Sequence, residues 1–229
     1  MKVRLLGWTP DPEQTVAAAA RLCYSSRSVD ELREEMSPAE AHRLIRMLID
    51  RGHTSPLEHA VFHFGVEGIS RVTSHQLVRH RIASYSQQSQ RYVTFKRPLD
   101  YVIPPVVTAR GYEEQFKGFM NECWRMYVSL LRAGIPAEDA RYVLPGAVCT
   151  RLVLSMNARE LLDVFFPLRT CLRAQWEIRL MANLMLKQCR GVAPVLFEKA
   201  GPSCRRWGSC PEENRQCVLW RRTHGDGKR

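Results

Sequence analysis

The segment from Gln76 to Tyr92 holds the densest group of side chains that could bind an anion. Three arginines, one histidine, three serines and four glutamines lie within these seventeen residues. Guanidinium, hydroxyl and amide groups pair well with phosphate oxygens and with the edges of bases. An arginine-rich helix end followed by a polar surface loop is the plain alternative, but such a loop does not require Ile82 or Tyr85. The segment therefore favours an anion or nucleotide site.

A second segment, residues 53–59, combines histidines with a carboxylate. Together with the later His63, it places three histidines and Glu58 within eleven residues. A strand-like stretch separates His59 from His63, which argues against the helical i,i+4 pair common in zinc sites. We therefore expect His53 and Glu58 to form hydrogen bonds with a ligand, and we expect no metal.

A third group of arginines lies in the second half of the chain, at Arg141, Arg159, Arg169 and Arg173. Arg173 and Glu177 are four residues apart, which is typical of an ion pair on a helix surface. Arg169 differs because it follows the apolar run Phe165-Phe166-Pro167-Leu168, which we expect to be buried. Arg169 is thus the strongest candidate for a functional arginine in a dry environment.

Helix caps and hydrophobic periodicity predict the elements that carry these segments. Asp11, Ser37, Ser70 and Asn157 have the residue types of helix N-caps, and Gly52 is typical of a helix stop. The predicted helices cover residues 12–23, 38–51, 71–81, 111–132, 136–144, 157–166 and 170–190, and the predicted strands cover 61–69 and 148–156. We expect an α+β fold with several helices around a small central sheet.

Two of these helices have apolar stripes that we expect to face the core. In the helix over 111–132 the stripe contains Phe116, Phe119, Cys123, Met126, Tyr127, Leu130 and Leu131. In the helix over 170–190 it contains Leu172, Trp176, Leu180, Leu184 and Met185.

The composition excludes several classes of protein. The 229 residues are 45% hydrophobic and 25% charged, as in a soluble globular domain. No apolar stretch approaches the roughly 20 residues that span a bilayer, and the first residues do not have the pattern of a signal peptide. We expect a single domain over residues 1–200, a tail rich in cysteine and arginine over 201–229, and a cytoplasmic location.

The net charge of +11 leaves two function classes open. Most of the basic residues are single arginines spread along the chain, which favours pockets for phosphate-bearing small molecules over a nucleic-acid-binding arm. On charge alone, a basic nucleic-acid-binding module without enzymatic activity remains the alternative.

The eight cysteines should be thiols, because nothing indicates secretion. Cys204, Cys210 and Cys217 with His224 match no common zinc spacing, so a loose tail is favoured over a zinc site.

Arg79-His80-Arg81, followed by seven residues and then Ser89, resembles the signature of the flavin-dependent thymidylate synthases. Further matches to that family follow one another in chain order, over roughly residues 15–198. They are Gln76, Arg91-Tyr92, His53-x-Ser55-Pro56-x-Glu58-His59, Arg141-x-x-Leu144-Pro145, Asn157-Ala158-Arg159, Leu168-Arg169 and Ala174-Gln175-Trp176-Glu177.

The resemblance implies a homotetramer with an α/β core flanked by helices and with active sites between subunits. It implies reductive methylation of dUMP to dTMP, with FAD as cofactor, methylenetetrahydrofolate as one-carbon donor and NADPH as reductant. No cysteine lies in a matched motif, so no enzyme thiolate is expected to attack the nucleotide. The matched residues end near 198, and we expect the tail to be dispensable for flavin binding.

The resemblance also assigns site residues. Arg169 is the expected catalytic residue, because a guanidinium beside the N3–C2 edge of uracil stabilises negative charge on the ring. The expected flavin contacts are His53, Ser55, Glu58, Arg79, His80, Arg81, Asn157, Ala158, Arg159 and Asp163. The expected dUMP contacts are Gln76, Leu77, Val78, Arg79, Gln87, Gln88, Ser89, Gln90, Arg91, Arg141 and Arg169. Ser89 has no evident general base, so we assign it to phosphate binding and not to nucleophilic attack.

Four features depart from the family pattern. Gln87 stands where many members have Glu, and Asp163 stands where Asn is usual beside the flavin. Arg173 stands where a flavin-facing His is common. The spacing from Asn157 to Arg169 is one residue longer than the family pattern implies.

Overall fold

Four strands form a single antiparallel sheet. The computed structural model describes residues 1–214 and 216–224, and its strands are β1 (Lys2–Trp8), β2 (Val61–Ser70), β3 (Ala83–Gln87) and β4 (Cys149–Asn157). They lie side by side in the order β1-β2-β4-β3. The strands predicted over 61–69 and 148–156 are confirmed as β2 and β4. Neither β1 nor β3 was predicted.

Burial alternates along the strands, as expected where one face of a sheet packs on a core. In β2 the side chains of Phe62, Phe64 and Val66 are fully buried, whereas His63 and Glu67 are exposed. This alternation is the reason why the period-2 pattern in the sequence identified β2 correctly.

Helices make up most of the remaining regular structure. In chain order they are α1 (Pro12–Leu22), α2 (Val29–Glu35), α3 (Pro38–Asp50), α4 (Arg71–Leu77), α5 (Pro105–Ala109), α6 (Glu113–Arg132), α7 (Ala137–Ala140), α8 (Ala158–Glu160), α9 (Phe166–Arg169), α10 (Trp176–Val192), α11 (Ser203–Arg206) and α12 (Val218–His224). Short 3-10 turns cover Ser55–His59 and Arg141–Val143, and one π-helical turn covers Leu161–Phe165. The mixed helix and sheet content confirms the α+β prediction.

The chain forms two compact units. The first unit contains residues 1–2, 66–79 and 85–153, and the second contains residues 3–65, 80–84 and those from 154 onward. In the first unit Leu99, Met120 and Val148 form the centre of an apolar cluster. In the second unit the ring of Phe62 lies edge-on to Phe197, 5.2 Å between centroids, and Phe197 contacts Phe166 in the same manner.

The predicted N-caps have different outcomes. Ser37 and Glu40 form a capping box at the start of α3, which confirms that prediction. Asp11 precedes α1 as predicted, but its backbone is left-handed (φ 44°) and its side chain accepts no capping hydrogen bond. Gln14, whose residue type and spacing from Asp11 fit a capping box, instead donates to the carbonyl oxygens of Arg33 and Met36.

Two helices are shorter than predicted. Helix α4 ends at Leu77 and not near residue 81, and the Tyr85 hydroxyl donates to the Leu77 carbonyl oxygen at 3.0 Å. Helix α10 begins at Trp176 and not at 170, because the Gln175 side-chain oxygen accepts hydrogen bonds from the backbone N–H groups of Glu177 and Ile178. Side-chain oxygens of this kind fix where a helix can start.

The predicted core-facing stripes were wrong in part. In α6 Tyr127 is fully buried, but Phe119 and Met126 are 58% and 52% exposed. In α10 Met185 is buried as predicted, but Leu180 is 47% exposed. The buried face also contains Ile178, Met181, Ala182, Leu186 and Cys189. Both helices therefore carry apolar side chains on a face that the described residues do not cover.

The helix predicted over 157–166 is a composite. Helix α8 passes through the π-helical turn into α9. A π-helical turn takes up one extra residue within a helix. This turn lies between Asn157 and Arg169, where the resemblance implies a spacing one residue longer than the family pattern.

Within the residues that the structure describes, no helix is both long enough and apolar enough to cross a membrane. None of the eight cysteines, all of which lie among these residues, forms a disulfide bond.

The cap at Ser37 provides a stability test. Replacing Ser37 by Ala removes the side-chain acceptor for the Glu40 N–H, and we expect the free energy of unfolding to fall by about 1 kcal/mol. The matched control is Ser129→Ala on an exposed part of α6, where alanine is the better helix former and no loss is expected. Urea unfolding at one protein concentration measures both; equal effects would contradict the capping role.

Candidate active site

Three buried or partly buried side chains of the second unit form a hydrogen-bonded chain. The Arg169 Nε–H donates to Nε2 of His80 at 2.9 Å, and Nδ1 of the same ring lies 3.3 Å from Oε1 of Glu160. The side chains of His80 and Glu160 are almost completely buried. The chain Glu160–His80–Arg169 therefore links two residues that the sequence assigned to ligands with a carboxylate that it did not.

The geometry fixes the protonation state of His80. Arginine always donates, so Nε2 of His80 must be the unprotonated acceptor. The ring proton is then on Nδ1 and faces Glu160. Burial, together with the positive charge of Arg169, lowers the pKa of His80 to about 4. His80 is thus neutral at pH 7, and its contact with Glu160 is a hydrogen bond to a neutral ring.

Glu160 is placed by the cap of its own helix. The Asn157 side-chain oxygen accepts a hydrogen bond from the Glu160 N–H at 2.8 Å, and the Ala158 N–H donates to the Ala60 carbonyl oxygen at 2.7 Å. Burial raises the pKa of Glu160. In this structure Asn157 and Ala158, both expected at the flavin, therefore also fix the backbone that carries Glu160.

The surroundings of Arg169 are largely apolar, as the sequence indicated. Phe165 lies edge-on to the His80 ring at 5.0 Å, and Phe165, Phe166 and Pro167 are buried. Leu168, the last residue of the run, is an exception because it is half-exposed. Arg169 itself is partly buried.

A second pair of expected flavin residues meets at the surface of the second unit. Arg159 and Glu58 form an ion pair, and both side chains are about half exposed. Glu58 belongs to the 3-10 turn that starts at Ser55, and both Ser55 and the preceding His53 are exposed. Exposed donors and acceptors of this kind are available to a ligand.

The histidines near this turn do not converge on one point. Nδ1 of His63 lies 2.7 Å from the Ser155 hydroxyl. Among the described residues no group of three or more His, Cys, Asp or Glu side chains could hold a metal ion. The His224 side chain, which we considered with the tail cysteines, lies outside the described part of the chain.

In the first unit Gln87 joins two buried hydroxyl groups. Its Nε2 donates to Ser74 Oγ and to Thr150 Oγ1, each at 3.0 Å. A glutamate at this position has no proton to donate to either hydroxyl when it is ionised. The departure at Gln87 therefore changes the direction of two internal hydrogen bonds.

Arginines of the first unit gather around Glu138. Nε and Nη2 of Arg91 lie 2.9 and 2.7 Å from Oε2 of Glu138, and the Arg141 Nε–H donates to the Glu138 carbonyl oxygen at 3.0 Å. The Ser89 hydroxyl accepts a hydrogen bond from the Arg91 N–H. Three expected dUMP contacts, Ser89, Arg91 and Arg141, are thus brought together.

Arg71 adds a further positive charge that sequence reasoning missed. Burial and the nearby charge of Arg141 lower the pKa of Arg71. No ion pair involves its guanidinium among the described residues. The guanidinium groups of Arg71 and Arg141 thus place two positive charges near each other, which suits a phosphate.

The other expected dUMP contacts of the first unit are spread over α4 and the strand end after it. Arg79 and Val78 are exposed, Gln76, Gln88 and Gln90 are partly buried, and the Leu77 side chain is fully buried. Leu77 could therefore contact a ligand only through its backbone. Arg81, an expected flavin contact in the second unit, is exposed.

Comparison with known proteins identifies the family. A family model described as "Thymidylate synthase complementing protein" matches residues 4–195. Proteins named flavin-dependent thymidylate synthase are similar over most of the chain. One from Geobacter sulfurreducens is 54% identical, covering 95% of this chain and 94% of that protein. One from Clostridium tetani is 44% identical, covering 95% and 93%. One from Sulfolobus acidocaldarius is 47% identical, covering 89% and 78%.

The chain belongs to the flavin-dependent thymidylate synthase family. This confirms the prediction made from the spacing of Arg79-His80-Arg81 and Ser89. The family name also implies a flavin cofactor, whose chemical groups can be compared with the side chains of the second unit.

The residues present suit a flavin dinucleotide. FAD carries a diphosphate, and exposed Arg81 and Arg159 supply guanidinium groups for it, while Ser55 supplies a hydroxyl. No glycine-rich phosphate loop occurs in the sequence, so side chains must bind the diphosphate. The donor set therefore fits the cofactor that the family's name implies.

Two departures from the family pattern have partners in the C-terminal tail. Asp163 accepts hydrogen bonds from Arg206, and Arg173 forms an ion pair with Glu212. Sequence reasoning missed Arg206 and Glu212 because nothing in their spacing indicates these distant partners. Glu160 could have been found, since it stands at the third helical position after the cap Asn157.

The neutral state of His80 predicts a pH effect on stability. Between pH 6.5 and about 4 the unfolded chain protonates this histidine and the folded chain does not, so stability falls as the pH falls. We expect the wild type to lose about 2 kcal/mol more than His80→Gln between pH 7 and 5. Urea unfolding at both pH values measures this difference.

The control for this prediction is His75→Gln, at an exposed position on α4. It should keep the pH dependence of the wild type. Glu160, whose raised pKa acts in the opposite direction, is present in all three proteins. The same pH dependence in His80→Gln as in the wild type would show that His80 is not held neutral.

Proposed function

We propose that this chain catalyses the reductive methylation of dUMP to dTMP. Methylenetetrahydrofolate supplies the carbon, NADPH supplies the reducing equivalents and FAD is the bound cofactor. The observation that carries the proposal is the guanidinium of Arg169, held against a neutral histidine beside buried aromatic rings. Because the histidine is neutral, that contact leaves the positive charge of the guanidinium intact.

Arg169 is the catalytic residue in this proposal. Methylation at C5 of uracil without an attacking thiolate requires negative charge on the ring. A guanidinium beside the N3–C2 edge stabilises that charge, most strongly where water is excluded. Phe165 and Phe166 provide such surroundings near Arg169.

A cysteine nucleophile has no place in this proposal. None of the assigned site residues is a cysteine, and the two cysteines nearest the C-terminal end of the matched region, Cys189 and Cys204, are buried. Burial raises the pKa of the Cys189 thiol, which makes it unreactive.

FAD provides hydride chemistry when it is bound. Arg81 and Arg159 would hold its phosphates. Arg79 is a further expected contact of the cofactor. Ser55, Glu58 and Asn157 would contact it by hydrogen bonds, with His53 beside them. His80 and Ala158 would contact it from the Glu160–His80–Arg169 chain and its supporting backbone, and Asp163 from the π-helical turn.

The dUMP phosphate is assigned to the arginine group of the first unit. Ser89, Arg91 and Arg141 would bind it, and Arg71 would add positive charge next to Arg141. Glu138, which contacts both Arg91 and Arg141, would keep them in place before the nucleotide arrives. The remaining dUMP contacts would come from Gln76, Leu77, Val78, Arg79, Gln87, Gln88 and Gln90.

A homotetramer with active sites between subunits completes the proposal. Phe119 and Met126 on α6 and Leu180 on α10 are large, apolar and about half exposed. Exposed apolar side chains of this size are typical of association surfaces. The assembly would act in the cytoplasm, with the domain over residues 1–200 and the tail over 201–229.

The proposed reaction is tested with the purified protein. We expect a yellow protein with the absorption of oxidised flavin, and dTMP formation that requires dUMP, methylenetetrahydrofolate and NADPH together. A colourless protein that does not bind added FAD and forms no dTMP would contradict the proposal. Binding to nucleic acid that weakens steeply with salt would then favour a nucleic-acid-binding module.

Replacing Arg169 separates its role from flavin chemistry. We expect Arg169→Ala to retain FAD and its bleaching by NADPH, but to form dTMP about 10²- to 10³-fold more slowly at saturating dUMP. Arg169→Lys should recover part of the rate, because an ammonium group cannot match the planar edge of uracil. Near-normal dTMP formation by Arg169→Ala would exclude the assignment.

A further inference from the structure

The C-terminal segment over residues 201–214, here called the tail segment, packs on the second unit. The Ser203 hydroxyl donates to the Pro167 carbonyl oxygen at 3.5 Å, and Cys204 is buried. Just before the segment, Arg190 donates to the carbonyl oxygens of Phe197 and Ala200. The segment is therefore attached next to α9, the helix that ends at Arg169.

The strongest contact of the tail segment is a buried ion pair. Nε and Nη2 of Arg206 lie 3.1 and 2.8 Å from the same oxygen, Oδ1 of Asp163. The Arg206 side chain is 4% exposed and that of Asp163 is 14% exposed. The Arg206 guanidinium also lies 4.1 Å from the centre of the Trp207 ring. Removing either partner of such a buried ion pair would leave the other charge buried and uncompensated, which destabilises the folded protein.

Asp163 occupies an informative position in the chain. It lies in the π-helical turn Leu161–Phe165, between Glu160 and Arg169. The same turn carries Phe165, which contacts the His80 ring. A side chain that fixes Asp163 therefore fixes the turn that connects both ends of the Glu160–His80–Arg169 chain.

Two residues that depart from the family pattern pair with oppositely charged residues of the tail segment. Asp163, where Asn is usual, meets Arg206, and Arg173, where His is common, meets Glu212 at 3.3 Å. The second pair is exposed and contributes little. The first is different, because a neutral residue at 163 would leave the Arg206 charge buried without a counter-charge. Asp163 and Arg206 therefore each compensate the charge of the other.

We propose that Arg206 is a positioning residue of the flavin site, which neutralises Asp163 and holds the π-helical turn beneath His80 and Arg169. The tail segment then supports the flavin site and is required for it, contrary to the expectation from the sequence that the tail is dispensable. This inference rests on the proposed function, because it places Asp163 beside the flavin.

The test compares four variants with the wild type. Arg206→Met removes the charge and keeps the aliphatic stem, and Arg206→Lys keeps the charge but offers a single nitrogen. Asp163→Asn/Arg206→Met removes both charges. The matched control is Arg205→Met, an exposed arginine of the same helix whose guanidinium donates to the Glu198 carbonyl oxygen.

Four quantities are measured for each protein. They are the dissociation constant of FAD from the apoprotein by fluorescence titration, the unfolding temperature of that apoprotein, and kcat and KM for dUMP. A purely structural tether would change the unfolding temperature alone.

We expect Arg206→Met to weaken FAD binding at least tenfold and to lower kcat more than it changes KM for dUMP. The reason is an unpaired carboxylate at the flavin and a displaced turn. The double variant should recover most of the FAD affinity, because no charge remains unpaired. Arg206→Lys should be intermediate, and Arg205→Met should match the wild type within twofold.

Two results would overturn the inference. One is an unchanged FAD affinity and kcat in both Arg206→Met and Arg206→Lys. The other is a double variant that binds FAD no better than Arg206→Met. If Arg206→Met does not fold, an unchanged FAD affinity and kcat in Arg206→Lys alone would overturn the inference. In that case, a double variant with an FAD affinity near that of the wild type would support it. A wild type that neither binds FAD nor forms dTMP would instead reject the proposed function.

Discussion

The hydrogen bond from Arg169 to His80 is the interaction on which the candidate site depends. Arginine cannot give up its proton, so the histidine beside it must be neutral and must turn its own N–H away. That N–H needs a buried acceptor, which Glu160 provides. One contact therefore determines the tautomer of His80, the need for a carboxylate at position 160 and, through Asn157, the start of the helix that carries it.

Local signals in the sequence predicted the parts of the structure that depend on neighbouring residues. The capping box at Ser37 and the alternation in β2 involve side chains a few residues apart, and both predictions were correct. The family, too, could be inferred from the spacing around Arg79-His80-Arg81. The caps failed where a distant partner competes, as at Gln14, whose amide contacts the backbone of Arg33 and Met36.

Other features could not be predicted because their causes lie far away in the chain or outside it. Arg206 is 43 residues from Asp163, and no periodicity links them. The sequence pattern of α6 predicts that its apolar face is buried in the core, but Phe119 is mostly exposed in a single chain. Hydrophobic spacing identifies a face that avoids water without saying whether the same chain or another copy covers it. The π-helical turn Leu161–Phe165 before Arg169 was likewise not predicted, because the sequence pattern indicated a continuous helix there.

The arginines of this chain show that a formal charge becomes useful only through its partner. Arg91 faces the carboxylate of Glu138 and Arg206 faces that of Asp163, so both are neutralised within the protein. Arg169 faces a neutral ring, and Arg71 faces another arginine. At Arg91 and Arg206 an anionic ligand must compete with an internal carboxylate for the guanidinium. The net charge of +11 therefore indicates less about anion binding than the partner that the fold gives to each arginine.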